Sequence, residues 1–317
     1  MRKILVTGGL GQIGSELVIH LRNIYGDDNI VASDIHKNGD ESVIYGGPFE
    51  IVDVLDGKKT SEVVSKYNVD TIIHLAALLS AVGEKNPARA WDINMNGLFN
   101  MLEISKERKL SLFTPSSIAA FGPDTPADNT PQDTIQRPTT MYGVTKVAGE
   151  LLCDYYFKKY GVDTRGVRFP GLISYQTLPG GGTTDYAVHI YYDAIQKGRY
   201  TSYIDKGTYM DMMYMPDALN AISTLLEADP SKLIHRNAFN ITAMSFEPEQ
   251  IAAEIKKHIP NFEMDYNVDS VRQSIANSWP NSLDDSAARE EWGWNPKYDL
   301  SSMTKDMLEK LRTRLGK

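Results

Sequence analysis

Short apolar runs rich in β-branched residues recur along the first half of the chain, each followed by a glycine- or aspartate-marked break and a longer stretch of mixed polarity. Lys3-Ile4-Leu5-Val6-Thr7, Asn29-Ile30-Val31-Ala32-Ser33, Phe49-Glu50-Ile51-Val52-Asp53-Val54 and Thr71-Ile72-Ile73-His74-Leu75-Ala76-Ala77 are the first four. A run beginning at Phe113 and another over 163–170 continue the series. Between them, 60–67 reads as a short amphipathic helix, 88–108 as a long helix and 140–160 as another. Near-continuous apolar strands alternating with helices belong to a parallel sheet covered on both faces. The predicted fold class is α/β, with a doubly wound parallel sheet.

The alternation ends near residue 173. Leu178-Pro179-Gly180-Gly181-Gly182-Thr183-Thr184-Asp185-Tyr186-Ala187 reads as a flexible loop that offers hydroxyls and unshielded backbone amides, a composition suited to a carboxylate or phosphate. Residues 215–227 return to helix, 238–242 to strand, and 246–259 to a helix that runs from acidic to basic. The remainder mixes short strands and helices. Asn277-Ser278-Trp279-Pro280 stands out there, because an aromatic held by a proline can close a small pocket, although core packing would use it equally well. The expected organisation is a first domain over 1–173 that also receives about 208–243, and a smaller lobe built from 174–207 and 244–317.

At 317 residues and 42% hydrophobic, the chain is long enough for both parts. A formal charge of −8 with no basic block argues against nucleic acid as a partner. No apolar run approaches membrane-spanning length, so no membrane partner is expected. The single cysteine, Cys153, cannot form an internal disulfide, and no signal region precedes the first strand, which together point to the cytoplasm. Scattered histidines and a lone cysteine provide no zinc ligand set, so no metal is expected.

The candidate chemistry begins directly after the first strand, with Gly8-Gly9-Leu10-Gly11-Gln12-Ile13-Gly14. Glycines at 8, 11 and 14 permit a tight turn, let backbone N–H groups approach a pyrophosphate at a helix N-terminus, and allow that helix to pack closely on the strand. Asp34 ends the second strand, twenty residues beyond Gly14, where a carboxylate can accept from adenosine ribose hydroxyls and repel a 2′-phosphate. NAD is therefore favoured over NADP, with Lys37 near enough to soften the preference. Further along, Tyr142 and Lys146 lie four residues apart within the predicted 140–160 helix and so share one face. A tyrosine titrates near ~10 and becomes a base near neutrality only if its phenolate is stabilised, which a lysine one turn away can do.

With the glycine turn and the Tyr-Lys helix both present, the chain resembles the extended short-chain dehydrogenase/reductase family, from Lys3 to about residue 300. The resemblance implies a Rossmann domain with a smaller C-terminal substrate-binding lobe and NAD as cofactor. In Phe113-Thr114-Pro115-Ser116-Ser117-Ile118-Ala119-Ala120-Phe121-Gly122, Ser117 falls at the family's triad serine, twenty-five residues before Tyr142, with Ser116 as its competitor. Cofactor contacts are implied for Gly8, Gly11, Gln12, Ile13, Gly14 and Asp34, for the adenine-side pair Asp53 and Val54, and for Leu75, Ala76, Ala77, Asn94, Tyr142 and Lys146. The small residues after His74 leave room for the cofactor, whereas His74 itself reads as a satisfied core histidine. Asn94 is expected near the catalytic lysine, and the end of 163–170 under the nicotinamide.

Within the family, Pro115–Gly122, Arg137–Lys146 and Gly180–Tyr186 resemble members that oxidise the side-chain hydroxyl of L-threonine to 2-amino-3-oxobutanoate. The implied roles are Tyr142 as base, Lys146 as holder of phenolate and ribose, and Ser117 as the hydroxyl that positions the substrate. Implied substrate contacts are Ser80, Ser117, Tyr142, Gly180, Thr183, Thr184 and Trp279. The alternative is a UDP-sugar 4-epimerase or dehydratase. Those relatives commonly carry Arg-Asp-Tyr-Ile-His-Val, and the matching stretch here is Met210-Asp211-Met212-Met213-Tyr214-Met215, without the arginine that meets the diphosphate. A homodimer, formed through the helices after Pro87 and around Tyr142, is the family expectation.

Overall fold

In the computed structural model, which describes residues 2–177 and 182–317, the apolar runs become β1 (Ile4–Thr7), β2 (Ile30–Asp34), β3 (Phe49–Ile51), β4 (Thr71–His74) and β5 (Ser111–Phe113), followed by β6 (Ser116–Ser117) and β7 (Thr164–Arg165). Six of them form one sheet in the order β3-β2-β1-β4-β5-β7. Every pair in it is parallel. This is the doubly wound order, whose direction of build-up reverses between β1 and β4 and opens a crevice at the strand C-termini. Ile4, Leu5, Val6, Ile72 and Ile73 are fully buried, as central strands covered on both faces must be.

Three strands stop short of their apolar runs, β3 among them, which ends at Ile51 rather than Val54. β4 ends at His74 because β1 has already turned away after Thr7; Leu75 N–H still donates to the Thr7 carbonyl at 3.0 Å, and Ala76 and Ala77 then leave the sheet. The run over 163–170 is broken at Gly166, after which Val167–Phe169 joins a small sheet between Ser116–Ser117 and Phe239–Asn240.

The helices of this part are α1 (Gln12–Tyr25), α2 (Glu41–Tyr45), α3 (Gly57–Tyr67), α4 (Ser80–Lys85), α5 (Pro87–Trp91), α6 (Gly97–Arg108) and α7 (Met141–Tyr160). α3 starts earlier than its amphipathic pattern because the Asp56 carboxylate accepts from Lys59 N–H at 2.9 Å and caps it. The single long helix expected over 88–108 is instead α5 and α6 joined by a π-helical turn, Asp92–Asn96. Asn86 caps α5 and Pro87 opens it, the position where a missing N–H costs nothing. The Thr140 hydroxyl accepts from Gly143 N–H at 3.1 Å and fixes where α7 begins. Leu5, Ile72, Leu98, Leu102, Leu112 and Tyr156 form a core that packs α6 and α7 against the sheet.

The chain divides into two compact units: residues up to Ala120 with Thr140–Arg168 and Leu219–Phe239, and Phe121–Thr139 with Phe169–Ala218 and Asn240–Lys317. Residues 121–139, 169–173, 240–243 and 208–218 thus group with the second unit, whereas the sequence suggested the first. Strand Met210–Tyr214 explains the latter, since it pairs in parallel with Gly171–Ile173 and antiparallel with Met244–Phe246.

The second unit packs Tyr186, Ile190, Tyr191, Met212, Phe246, Ile255, Met307 and Leu311 into its own core. Phe246 closes a strand, so the helix expected over 246–259 is confined to Pro248–Lys256. The expected flexible loop is structured from residue 182: Thr183–Asp185 form a 3-10 turn and Tyr186–Lys197 a helix. Tyr186 and Ala187 are fully buried there, and Asp185 Oδ2 accepts from Gly182 N–H at 2.5 Å. Gly180 lies outside the described residues. Among the described residues no helix is long and apolar enough to cross a membrane.

Candidate active site

The turn between β1 and α1 demands glycine at Gly8 and Gly14. Gly8 has φ +71°, and a Cβ on it would meet Ala76 N at 2.8 Å. Gly14 is tighter still, because a Cβ there would lie 2.1 Å from the Gly8 carbonyl oxygen. α1 therefore starts hard against the turn. Its N-cap, Gly11, supplies no side-chain acceptor and its first turn carries no acidic residue, which leaves the positive end of the helix suited to an anion.

From this turn a groove of about 280 Å³ runs along the C-terminal ends of the strands. Of the residues implied for the cofactor, Gly8, Gly11, Asp34, Asp53, Val54, Leu75, Ala76 and Ala77 line it together. Gln12 and Ile13 open α1, and Gly14 is buried behind the turn. Asp34 Oδ2 accepts from Leu10 N–H at 3.0 Å and Oδ1 from Ile35 N–H at 2.8 Å, which holds the carboxylate at the end of β2. Asp53 Oδ1 accepts from Leu55 N–H at 2.9 Å. Ile35, Leu55, Leu78, Arg89 and Ile93 also line the groove, and no glycine or acidic signal in the sequence marks them.

These residues fit a dinucleotide: a glycine-rich turn, an uncapped helix start and a carboxylate at the end of the second strand lie along one groove. Asp34→Ala should raise the dissociation constant for NAD by about tenfold, the loss expected from one or two hydrogen bonds to a charged acceptor, while NADP loses much less. Titration of protein fluorescence with each nucleotide measures this, and a wild type that already prefers NADP removes Asp34 from the role.

α7 sets Tyr142 and Lys146 one turn apart, with Lys146 Nζ 5.2 Å from the centroid of the Tyr142 ring. The ammonium also donates to the Pro115 carbonyl at 2.7 Å, which anchors it beside the segment that carries the serines. Ser116 and Ser117 are successive residues of extended backbone, so their side chains point to opposite sides. Ser116 is buried and donates to Glu150, whereas Ser117 is half-buried, its Oγ accepting from Ala119 N–H at 3.2 Å.

Asn94 sits in the π-helical turn, where the extra residue per turn brings its amide to the loop after β4. Its Oδ1 accepts from Leu78 N–H at 2.8 Å, and its Nδ2 donates to Leu78 O and to Thr145 Oγ1, both at 3.1 Å. The side chain thus ties that loop to α7 next to Lys146. His74 is buried and shares a 2.8 Å hydrogen bond with the Thr7 hydroxyl. Burial, aided by the Lys146 charge, pushes its pKa down to about 3, so it is a neutral core histidine as its sequence context suggests. A small cavity of about 30 Å³ reaches Lys146 on α7 and is bounded by Leu75, Ala76, Ala77 and Asn94, the first three of which also line the groove.

Ser80 opens α4 and is buried. Thr183, Thr184 and Trp279 belong to the second unit. Thr183 is buried there, and Thr184 packs so close to Gly171 that a Cβ on the glycine would meet its Cγ2 at 2.7 Å. Trp279 is half-buried, just beyond helix Ser270–Ala276. Glu150 was not singled out by sequence, although its place eight residues after Tyr142 puts it on the same face of α7.

The family model described as the NAD dependent epimerase/dehydratase family matches residues 4–242. An uncharacterized epimerase/dehydratase of Staphylococcus haemolyticus is 60% identical over 314 residues, 99% of each chain. The solved L-threonine dehydrogenase from Clostridium difficile is 66% identical, with a TM-score of 0.98 over 99% of this chain and 98% of that one. The L-threonine dehydrogenase from Phytophthora infestans is 51% identical, with a TM-score of 0.95 over 99% of this chain and 100% of that one.

Proposed function

We propose that this chain, which belongs to the NAD dependent epimerase/dehydratase family, oxidises the side-chain hydroxyl of L-threonine to 2-amino-3-oxobutanoate. The observation that carries the reading is its likeness, over nearly its whole length, to L-threonine dehydrogenases of two organisms. The arrangement of Tyr142, Lys146 and Ser117 supports it. Gly8, Gly11, Asp34, Asp53, Val54 and Leu75–Ala77 would hold NAD, which when bound takes the hydride from the substrate's side-chain carbon.

Tyr142 removes the hydroxyl proton as that hydride leaves. Lys146, held by the Pro115 carbonyl, stabilises the Tyr142 phenolate that accepts this proton, and Ser117 Oγ–H orients the substrate oxygen. Thr183, Thr184 and Trp279 are the proposed substrate contacts of the second unit, with Ser80 in the first. A nucleotide-sugar substrate is disfavoured because the position of the diphosphate-binding arginine is Met210, fully buried in a strand. Losing one such charge-assisted contact costs roughly 1.5 to 3 kcal/mol. The aspartate that follows, Asp211, is likewise internal, accepting from the Thr242 hydroxyl at 2.6 Å.

The same reading includes a cytoplasmic homodimer. Trp91, Phe99, Leu151 and Tyr155 expose large apolar surface on α5, α6 and α7, and light scattering should return twice the chain mass.

Substrate discrimination tests the function. The secondary alcohol must present its hydrogen while ammonium and carboxylate are held, a demand D-threonine meets poorly. L-Serine lacks only a methyl, so its kcat/KM should fall by roughly 10- to 200-fold. Equal rates with L- and D-threonine, or a preference for serine, would contradict the assignment.

A further inference from the structure

Tyr142, Lys146 and Glu150 stand at successive turns of one face of α7, and the last of them has no part in the chemistry described above. Glu150 and Arg168 are both buried, with side-chain exposures of 8% and 7%. Arg168 donates twice, from Nε to Oε1 at 3.1 Å and from Nη2 to Oε2 at 2.8 Å. A buried ion pair is weak evidence of stabilisation, since well-packed apolar residues of the same volume often serve as well or better. The pair has a further partner in the buried Ser116 hydroxyl, which donates to Glu150 Oε1.

Two consecutive residues are thereby fastened to two consecutive turns of α7: the Pro115 carbonyl to Lys146 and the Ser116 hydroxyl to Glu150. The next residue is Ser117. Because side chains alternate along extended backbone, drawing Ser116 inward turns Ser117 to the opposite side. We propose that Glu150, held by Arg168, is a positioning residue that acts through Ser116 to set the Ser117 hydroxyl against Tyr142. The proposal rests on the reading of Ser117 as the substrate-orienting hydroxyl.

Ser116→Ala removes the link to Glu150 while leaving the charge pair with Arg168 intact. Its kcat for L-threonine should fall about tenfold, because displacement of an orienting group by ~1 Å is enough to cost up to 10². NADH binding, followed by protein fluorescence, should stay within about twofold of wild type, and the melting temperature should change little. Glu150→Asp keeps a charge for Arg168 but draws the carboxylate back by one methylene, and should behave in the same way.

The deciding comparison is made in a Ser117→Ala background. Residues that act as one unit are not additive, so adding Ser116→Ala or Glu150→Asp to Ser117→Ala should slow turnover no further. Full multiplication of the two effects, or wild-type kcat in both Ser116→Ala and Glu150→Asp, overturns the proposal. Wild-type turnover in Ser117→Ala alone would instead overturn the reading of Ser117, a separate and distinguishable failure.

Discussion

Tyr142→Phe should lower kcat for L-threonine by about 10² to 10⁴, the usual cost of losing a general base, with NADH affinity nearly unchanged. Phenylalanine keeps the ring that lies 5.2 Å from Lys146 Nζ and removes only the hydroxyl, so neither α7 nor the ammonium's anchor on Pro115 should move. The loss should therefore appear in single-turnover rates with NAD saturating and the melting temperature intact. Turnover near that of the wild type would take Tyr142 out of the role and leave Lys146 without a phenolate to stabilise.

Gly14→Ala should act on the other half of the site. The added Cβ would lie 2.1 Å from the Gly8 carbonyl oxygen, and a backbone atom cannot rotate out of the way as a side chain can. Relief requires α1 to back away from the turn, at a cost of about 1–3 kcal/mol for a well-packed region forced apart. The same movement carries the helix N-terminus off the bound anion, and losing one charge-assisted contact should raise the NAD dissociation constant roughly 10- to 100-fold. Gly11→Ala is the internal control. Its nearest neighbour would stand at 3.2 Å, so the protein should melt closer to wild type. Equal stability for the two alanine variants would contradict this account of the turn.

Legibility in the sequence followed how local each signal was. The glycine turn, Asp34, the Tyr142–Lys146 pair and the central strands rest on periodicity and fixed spacing, and the groove brings most of the implied cofactor residues together. The start of α3 was misjudged because a side-chain cap, that of Asp56, decides it. The π-helical turn was invisible because one extra residue in a helix leaves the composition unchanged, yet it aims Asn94 at Leu78 and Thr145.

Non-local pairing accounts for most of the rest. Nothing near Met210–Tyr214 announces a strand partner more than thirty residues away in either direction, at Gly171–Ile173 and Met244–Phe246. The threonine-bearing segment after the glycines looked like a loop because its hydroxyls and glycines outweighed two residues, Tyr186 and Ala187, whose burial makes it the start of a helix. Glu150 was passed over because a carboxylate on a helix reads as surface until a buried arginine is found beside it.

The central claim is hydride transfer from the hydroxyl-bearing carbon of L-threonine, and one labelling experiment addresses it directly. Purified protein is incubated with NAD and L-threonine that carries deuterium on that carbon, and the reduced nucleotide is analysed by mass spectrometry alongside its absorbance. The account predicts that NADH accumulates, that it carries the deuterium, and that the label is absent when L-threonine is replaced by a UDP-hexose. A protein that interconverts UDP-hexoses without releasing NADH, and leaves labelled L-threonine untouched, would contradict it.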